Sequence, residues 1–321
     1  MKILVTGGLG YIGSHISHLL GSSAVIIDNL SNSSLNFRKK LPFAKVYIRN
    51  LNSNSLIKIF SENKINGVIH LASLKAVNES VDKPLKYYEE NVVPTIHLLK
   101  TMKDFSVKKL IFSSSATVYG NNNKSPLKED MILKSTNPYG STKICIENLI
   151  KDYCNSDPKF KAISLRYFNP LGADKKAGLV DQPKGVPQNI LPKLISSIKH
   201  NQTFKIFGND YKTRDGTCLR DYIHIKDLAS AHTLALKKLN KIKGHFPINI
   251  GLGKGISVLE IIKLFEKTNS ISIKYKISKR REGDIAINYA DNSKAKKILG
   301  WRPKFNHLDM LRDAWESSLN R

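Results

Sequence analysis

The chain has 321 residues, 41% of them hydrophobic, with 19 Gly, 12 Pro and 3 Cys. That length allows one large domain or two ordinary ones around a sizeable core, and the composition excludes collagen-like, disordered and disulfide-stapled architectures. Lys and Arg number 52 against 26 Asp and Glu, a formal charge of +26, which raises nucleic acid or an anionic membrane as partners. Yet the lysines are spread along the whole chain, and the densest basic clusters, 38–40 and 279–281, are only three residues long. A general drift of composition toward Lys, Asn and Ile explains the charge better than a dedicated nucleic-acid surface. No apolar run approaches the roughly 18 residues that span a bilayer. The N-terminus is a strand-like run interrupted by glycines, not a secretory signal. Cys145, Cys154 and Cys218 are scattered, with no disulfide framework or metal-ligand spacing. The expectation is a soluble protein of the cytoplasm with no metal, no specific nucleic-acid partner and no membrane association.

Residues 2–6 (KILVT) form a short apolar run that ends at glycines, and residues 11–20 carry apolar side chains at helical spacing. A second apolar run, 24–27, stops at Asp28. Runs 46–48 and 67–70 read as further buried strands, with a helical stretch near 56–62 between them. A long helix is predicted over 84–102, with Pro84 acceptable in its first turn. A strand at 109–112, a helix over 138–154 and a strand at 162–165 follow. Strands alternating with helices imply right-handed crossovers and a parallel sheet covered on both faces. The strands lack period-two alternation, which fits burial on both sides. After Asn169 the texture changes. Pro170, Gly172, Gly178, Pro183, Gly185 and Pro187 punctuate a loop-rich crossing into a second, smaller unit. That unit is predicted to hold a helix at 190–199, a strand plus helix at 221–239, a strand at 247–250, a helix at 258–266 and a C-terminal helix near 308–318.

The stretch Thr6-Gly7-Gly8-Leu9-Gly10-Tyr11-Ile12-Gly13 follows the first strand and opens the first helix, and it satisfies G-x-G-x-x-G. Glycine permits the tight turn and lets the backbone approach a pyrophosphate, and the helix N-terminus adds unpaired N–H groups and positive partial charge. A glycine-rich turn alone is a weak signal. Asp28 strengthens it by ending the second strand about 20 residues on, where a carboxylate can accept from both ribose hydroxyls. A carboxylate there repels a 2′-phosphate, so NAD is expected over NADP. The fold predicted is α/β: a Rossmann-type doubly wound parallel sheet over 1–168 and a smaller C-terminal α/β substrate domain over 169–321. Segment 221–239 is expected to return to the first domain as its last strand and helix.

Tyr139 and Lys143 stand four apart at the start of a helix, so both project from one face. Such a pair is common and by itself reads as a surface cation–aromatic contact. Its position makes it informative: it follows the fifth strand, whose carboxyl end carries Ser113, Ser114 and Ser115, and ligands of an open parallel sheet bind outside the carboxyl ends of strands. A phenol must lose roughly three pKa units, about 4 kcal/mol, to act as a base near neutrality. The Lys143 ammonium and a positive nicotinamide ring would supply opposite charge in a low-dielectric cleft. Lys143 can also hold the nicotinamide ribose, and Ser115 can bridge a substrate hydroxyl and Tyr139. The set suits removal of an alcohol proton while hydride leaves the same carbon.

These residues resemble the extended short-chain dehydrogenase/reductase family. Longer strings resemble, more narrowly, its UDP-hexose 4-epimerases: DNLSNS (28–33), LKAVNES (74–80), FSSSATVYG (112–120), LRYFNPLGA (165–173), IFGNDY (206–211), DGTCLRDYIH (215–224) and RREGD (280–284). The resemblance implies tight NAD binding and interconversion of UDP-glucose and UDP-galactose through a 4-keto sugar, with Tyr139 taking the 4-hydroxyl proton. It implies that Asn169, Asn189, Arg220 and Arg281 contact the UDP moiety, with Ile206 and Phe207 near the uracil and Asp284 near a ribose. On the cofactor side it adds Tyr11, Ile12, Asn29, Asn32, Ser33, Leu51, Leu71, Ala72, Lys75, Asn91 and Ser113. It also implies a homodimer built on helices 84–102 and 138–154. Two positions depart from the pattern. Asn50 replaces an Asp that many relatives place at the adenine, so a modest weakening of NAD binding is expected. Asn288 occupies the position whose bulk controls the sugar's 2-substituent, so some activity on UDP-N-acetylglucosamine is expected. A dehydratase would need an acid and a base just after the fifth strand, where Ala116 and Thr117 stand. A UDP-pentose or UDP-uronate 4-epimerase stays open. A non-catalytic NAD-binding regulatory protein would have no need of Ser115, Tyr139 and Lys143 together.

Overall fold

Strand Lys2–Thr6 runs through a seven-stranded sheet in the computed structural model, which describes residues 1–185, 187, 189–281 and 284–319. Across the sheet the order is Gly244–Ile250, Lys161–Tyr167, Lys109–Ser115, Ile65–His70, Lys2–Thr6, Ala24–Asp28 and Lys45–Ile48. Every neighbouring pair is parallel. The chain winds outward from the first strand and then returns to its other side, so a crevice opens at the carboxyl ends of Lys2–Thr6 and Ile65–His70. This is the Rossmann-type doubly wound arrangement.

The strands are apolar throughout because each face has its own cover. Ile3, Val5, Ile69, Ile111 and Ile163 meet helices Tyr11–Leu20 and Ile225–Lys238. Leu4, Val25, Val68, Leu110 and Phe112 meet helices Ser53–Glu62, Pro84–Asp104 and Pro138–Ser156. Successive side chains point to opposite faces, and both faces are dry. The short helix Val77–Asp82, which begins within LKAVNES and ends two residues beyond it, has no periodic signal of its own.

The expectation for 221–239 needs correction. Strand Leu219–His224 belongs to a separate small sheet, where it pairs antiparallel with Gly255–Ser257 and parallel with Ile287–Asn288 and Asn169–Leu171. The helix that follows it, Ile225–Lys238, does lie on the large sheet against the first helix. The strand that closes the large sheet is Gly244–Ile250. The small unit is built around Leu194, Phe204, Ile206, Ile261, Phe265 and Met310.

A loop-rich segment ties the two units together. Leu179 packs with Leu9, Ile26, Phe37 and Leu41 of the first unit. Lys184 Nζ donates to Leu30 O, Lys40 Nζ donates to Gly178 O, and Tyr11 OH donates to Gly172 O at 2.7 Å. Among the described residues no helix is long and apolar enough to cross a membrane.

A buried ion pair pins helix Pro138–Ser156 to the sheet. Arg166 donates from Nε and Nη2 to the two oxygens of Glu147, at 3.0 and 2.7 Å, and Ser114 Oγ donates to Glu147 at 2.5 Å. Both charged side chains are almost fully buried. Removing one partner strands the other's charge, so Arg166→Ala is expected to lower unfolding free energy by about 3–5 kcal/mol, read as a fall in the urea midpoint.

Candidate active site

The glycine turn is as tight as backbone permits. A Cβ on Gly13 would lie 2.2 Å from Gly7 O and 2.7 Å from Gly8 Cα, so the helix can start this close to the strand only with glycine there. Gly7 itself adopts φ +67°. Helix Tyr11–Leu20 has Gly10 as its N-cap, no side chain capping it and no acid in its first turn. Its leading N–H groups and positive end therefore face the crevice unopposed, as an anion site requires. Asp28 ends the second strand beside this turn. Its carboxylate accepts from Leu9 N at 3.0 Å, Leu30 N at 2.8 Å and Ser33 Oγ at 2.6 Å. Three of roughly four acceptor positions are thereby engaged, which leaves room for one ribose hydroxyl rather than the two expected.

The crevice is a cavity of about 590 Å³. Gly7, Gly10, Tyr11, Ile12 and Gly13 line it at the turn, with Asp28, Asn29, Asn32, Ser33, Asn50 and Leu51 at one end. Leu71, Ala72, Lys75, Ser113, Ser115, Tyr139 and Lys143 line the other. Asn50 Oδ1 accepts from Asn29 Nδ2 at 3.1 Å, so this departure from the family pattern is absorbed into a local side-chain pair. Asn91 is the exception among the expected cofactor residues. It is buried behind the wall, accepting from Leu74 N at 2.7 Å and donating to Leu74 O and Thr142 Oγ1, so it shapes the cavity without lining it.

Strand Lys109–Ser115 delivers Ser115 to the floor of the cavity, where Ser115 Oγ accepts from Thr117 N and Thr117 Oγ1. Helix Pro138–Ser156 begins at Asn137, whose side chain accepts from Gly140 N at 2.9 Å. A Cβ on Gly140 would lie 2.0 Å from Ser135 Oγ and 3.0 Å from Thr117 O, so glycine lets the helix seat against the turn after Ser115. Tyr139 and Lys143 then both face the cavity. Lys143 Nζ donates to Ser113 O at 3.0 Å and lies 5.0 Å from the Phe112 ring centroid and 5.6 Å from that of Tyr139.

Lys143 is expected to lower the phenol together with a positive nicotinamide ring; among the chain's own groups, burial dominates both residues. Burial pulls the Lys143 ammonium down to about 7, with the Glu147 carboxylate one turn away opposing the shift. Burial pushes the Tyr139 phenol up, and the Ser115 hydroxyl acts in the other direction. The ammonium is directed at a carbonyl rather than at the phenol oxygen, so desolvation outweighs attraction. Beneath the site, burial drives His70 down to about 3, so it is neutral. Thr95 Oγ1 donates to Asn91 O, which makes it the acceptor from His70 Nε2 at 2.9 Å, and His70 Nδ1 then accepts from Thr6 Oγ1 at 2.7 Å. That chain fixes the turn at Leu71 and Ala72, whose N–H groups donate to Thr6 Oγ1.

A second cavity of about 160 Å³ adjoins the first, and Asn169, Pro170 and Asn189 line both. Ile206, Phe207, Arg220 and Arg281 line it as expected. Asp284 does not; it stands behind the arginines, 3.0 Å from Arg281 Nε and 3.6 Å from Arg220 Nη2. Asn288 is also displaced from the expected wall. It is buried in the small sheet in register with Arg220 and lines neither cavity. Glu282 and Gly283 of the RREGD string lie outside the described residues. Sequence reasoning missed Thr117, Phe168, Asp181 and Lys193 on the walls. Phe168 sits inside a quoted string, and Lys193 follows Asn189 by one helical turn, so both had a signal. Asp181, which accepts from Asn189 Nδ2 at 2.8 Å, had none.

Residues 3–251 match the NAD dependent epimerase/dehydratase family. The chain is similar to the UDP-glucose 4-epimerase of Dictyostelium discoideum, at 46% identity over 99% of this chain and 96% of that one. It is similar in structure to the UDP-glucose 4-epimerase of Bifidobacterium longum in complex with NAD+ and UDP, with a TM-score of 0.95 and 40% identity over 100% of this chain and 99% of that one. It is also similar to the UDP-glucose 4-epimerase of Stenotrophomonas maltophila with bound NAD and formylated UDP-arabinopyranose, with a TM-score of 0.96 and 38% identity over 100% and 98%.

The buried ammonium yields a signed prediction. With Lys143 lowered from 10.5 to about 7 in the folded chain, the unfolded chain binds the extra proton between those values, so the cost of burying the charge is full below about pH 7 and is relieved as pH rises. Lys143→Met in protein freed of nucleotide should therefore raise the melting temperature more at pH 6 than at pH 9. Equal shifts at both pH values would show that the ammonium is not destabilised by burial.

Proposed function

The chain belongs to the NAD dependent epimerase/dehydratase family, and on that premise we propose that it interconverts UDP-glucose and UDP-galactose by inverting the sugar's fourth carbon. The observation that carries the reading is the convergence of Ser115, Tyr139 and Lys143 on the wall of a cavity suited to a dinucleotide, which shares Asn169, Pro170 and Asn189 with a smaller cavity walled by arginines.

The larger cavity fits NAD. The uncapped helix end receives the pyrophosphate, Asp28 and its neighbours hold the adenosine ribose, and Lys75, Ser113 and Lys143 surround the nicotinamide end. NAD supplies the acceptor for the hydride on sugar C4 and the donor that returns it. Tyr139, once ionised, takes the C4 hydroxyl proton, and Ser115 orients that hydroxyl toward the phenol. Lys143 and the positive nicotinamide ring together would oppose the phenolate's charge, against the upward push that burial gives the phenol. Tyr139 keeps the proton until hydride has returned to the other face of C4, and then gives it back to the C4 oxygen. Arg220, Arg281, Asn169 and Asn189 hold the UDP, and Phe207 and Ile206 flank the uracil. Anchoring at the nucleotide leaves the hexose free to turn over between the two half-reactions.

A second reading has one observation in its favour: a similar structure holds a formylated UDP-pentose, so a UDP-arabinose or related pentose is also a candidate substrate. Activity on UDP-N-acetylhexosamines is included in the reading because Asn288 stands where an aromatic would exclude a 2-substituent, although its side chain lines neither cavity. The same reading takes the protein to act in the cytoplasm as a homodimer. Helices Pro84–Asp104 and Pro138–Ser156 pack together, and Leu85, Tyr88 and Val93 of the first remain exposed, a surface suited to a second copy.

Incubation with UDP-galactose, UDP-N-acetylgalactosamine and a UDP-pentose, each resolved by NMR, decides among the substrates. Tyr139→Phe should lower turnover at least about 100-fold, the usual scale for loss of a general base, while NAD stays bound. Full activity in that variant would remove Tyr139 from the chemistry.

A further inference from the structure

Lys193 stands on helix Ile190–Lys199, one turn after Asn189, and lines the smaller cavity. Its ammonium lies 5.4 Å from the centroid of the Phe207 ring, and the Arg281 guanidinium lies 4.8 Å from the same centroid. Two cations therefore meet over one aromatic. Among the described residues no carboxylate pairs with Lys193, whereas Asp284 is engaged by Arg281 and Arg220 together. The wall thus presents Lys193, Arg220 and Arg281 against a single carboxylate set behind it. Burial, with the charges of Arg281 and Lys205, pushes the Lys193 ammonium below its ordinary value, as expected where an anion is missing. Lys205 also borders the cavity, but it is exposed on its strand and water already solvates it.

We propose that Lys193 is a third cation for the diphosphate of the UDP-sugar, acting beside Arg220 and Arg281. This deepens, and rests on, the reading of the smaller cavity as the UDP site. A diphosphate diester carries two negative charges, which balance the excess of three cations over one carboxylate. The arginines offer planar forks for paired oxygens, and a lysine offers a compact point charge that can follow either phosphate. The diphosphate is remote from C4, so the contact is the same in ground and transition states. It therefore sets KM and leaves kcat unchanged.

The test is calorimetric titration of the NAD-loaded protein with UDP and, separately, with uridine. Lys193→Met should weaken UDP about tenfold, the lower end for a charge-assisted hydrogen bond, and leave uridine unaltered. Lys193→Arg should restore most of the UDP affinity, and the KM for UDP-galactose should follow the same order at constant kcat. Equal weakening of UDP and uridine would overturn the proposal by showing that Lys193 only supports Phe207 against the base. Unchanged UDP binding in Lys193→Met would overturn it outright while leaving the UDP site in place. Wild-type protein that binds neither ligand would overturn the site itself, and the role of Lys193 with it.

Discussion

A single buried ammonium organises this molecule. Lys143 is 1% exposed, has one carbonyl for a direct partner and rests against the face of Phe112. Taking a charge out of water costs several kcal/mol, and the surroundings are arranged to hold it there. Glu147 lies one turn along the same helix, close enough to raise the affinity of Lys143 for its proton, and Arg166 and Ser114 fix Glu147 in turn. The two carboxylate oxygens thus tie the catalytic helix to the fifth and sixth strands of the sheet. Stability is given up at Lys143 so that a cation waits beside Tyr139 in a place where opposite charges act strongly.

The two cavities divide the work between backbone and side chains. At the dinucleotide end the turn supplies N–H groups and glycines, and the carboxylate beside it, Asp28, is already held by three donors. At the nucleotide-sugar end, an ammonium from a helix and a guanidinium from a loop meet over one phenylalanine, with Arg220 of a strand on the same cavity wall. The shared residues Asn169, Pro170 and Asn189 bring the two ends to the same point, above Ser115 and Tyr139.

Much of this was legible in the chain because the decisive features are local. The glycine turn, the carboxylate after the second strand and the Tyr-x-x-x-Lys spacing each lie within one element and its neighbour. What escaped depends on distant partners. Whether strand Leu219–His224 joins the large sheet or the small one depends on Asn169–Leu171 and Gly255–Ser257, which nothing in its own residues announces. Asn91, Asp284 and Asn288 line neither cavity, because whether a side chain faces a cavity or props its wall is set by packing across the fold. Spacing likewise tells that a lysine is near the phenol, not that its nitrogen is directed at Ser113 O.

The segment that crosses from the second unit to the first has a bearing on the larger cavity. Leu179 is sunk among Leu9, Ile26, Phe37 and Leu41, and lysines on either side grip carbonyls across the gap. Asp181, Gln182 and Pro183, which follow the buried Leu179 along the chain, line the larger cavity, so the anchored crossing also holds part of that cavity's wall in place. Loosening the crossing would therefore unsettle the wall as well as the contact between the two units.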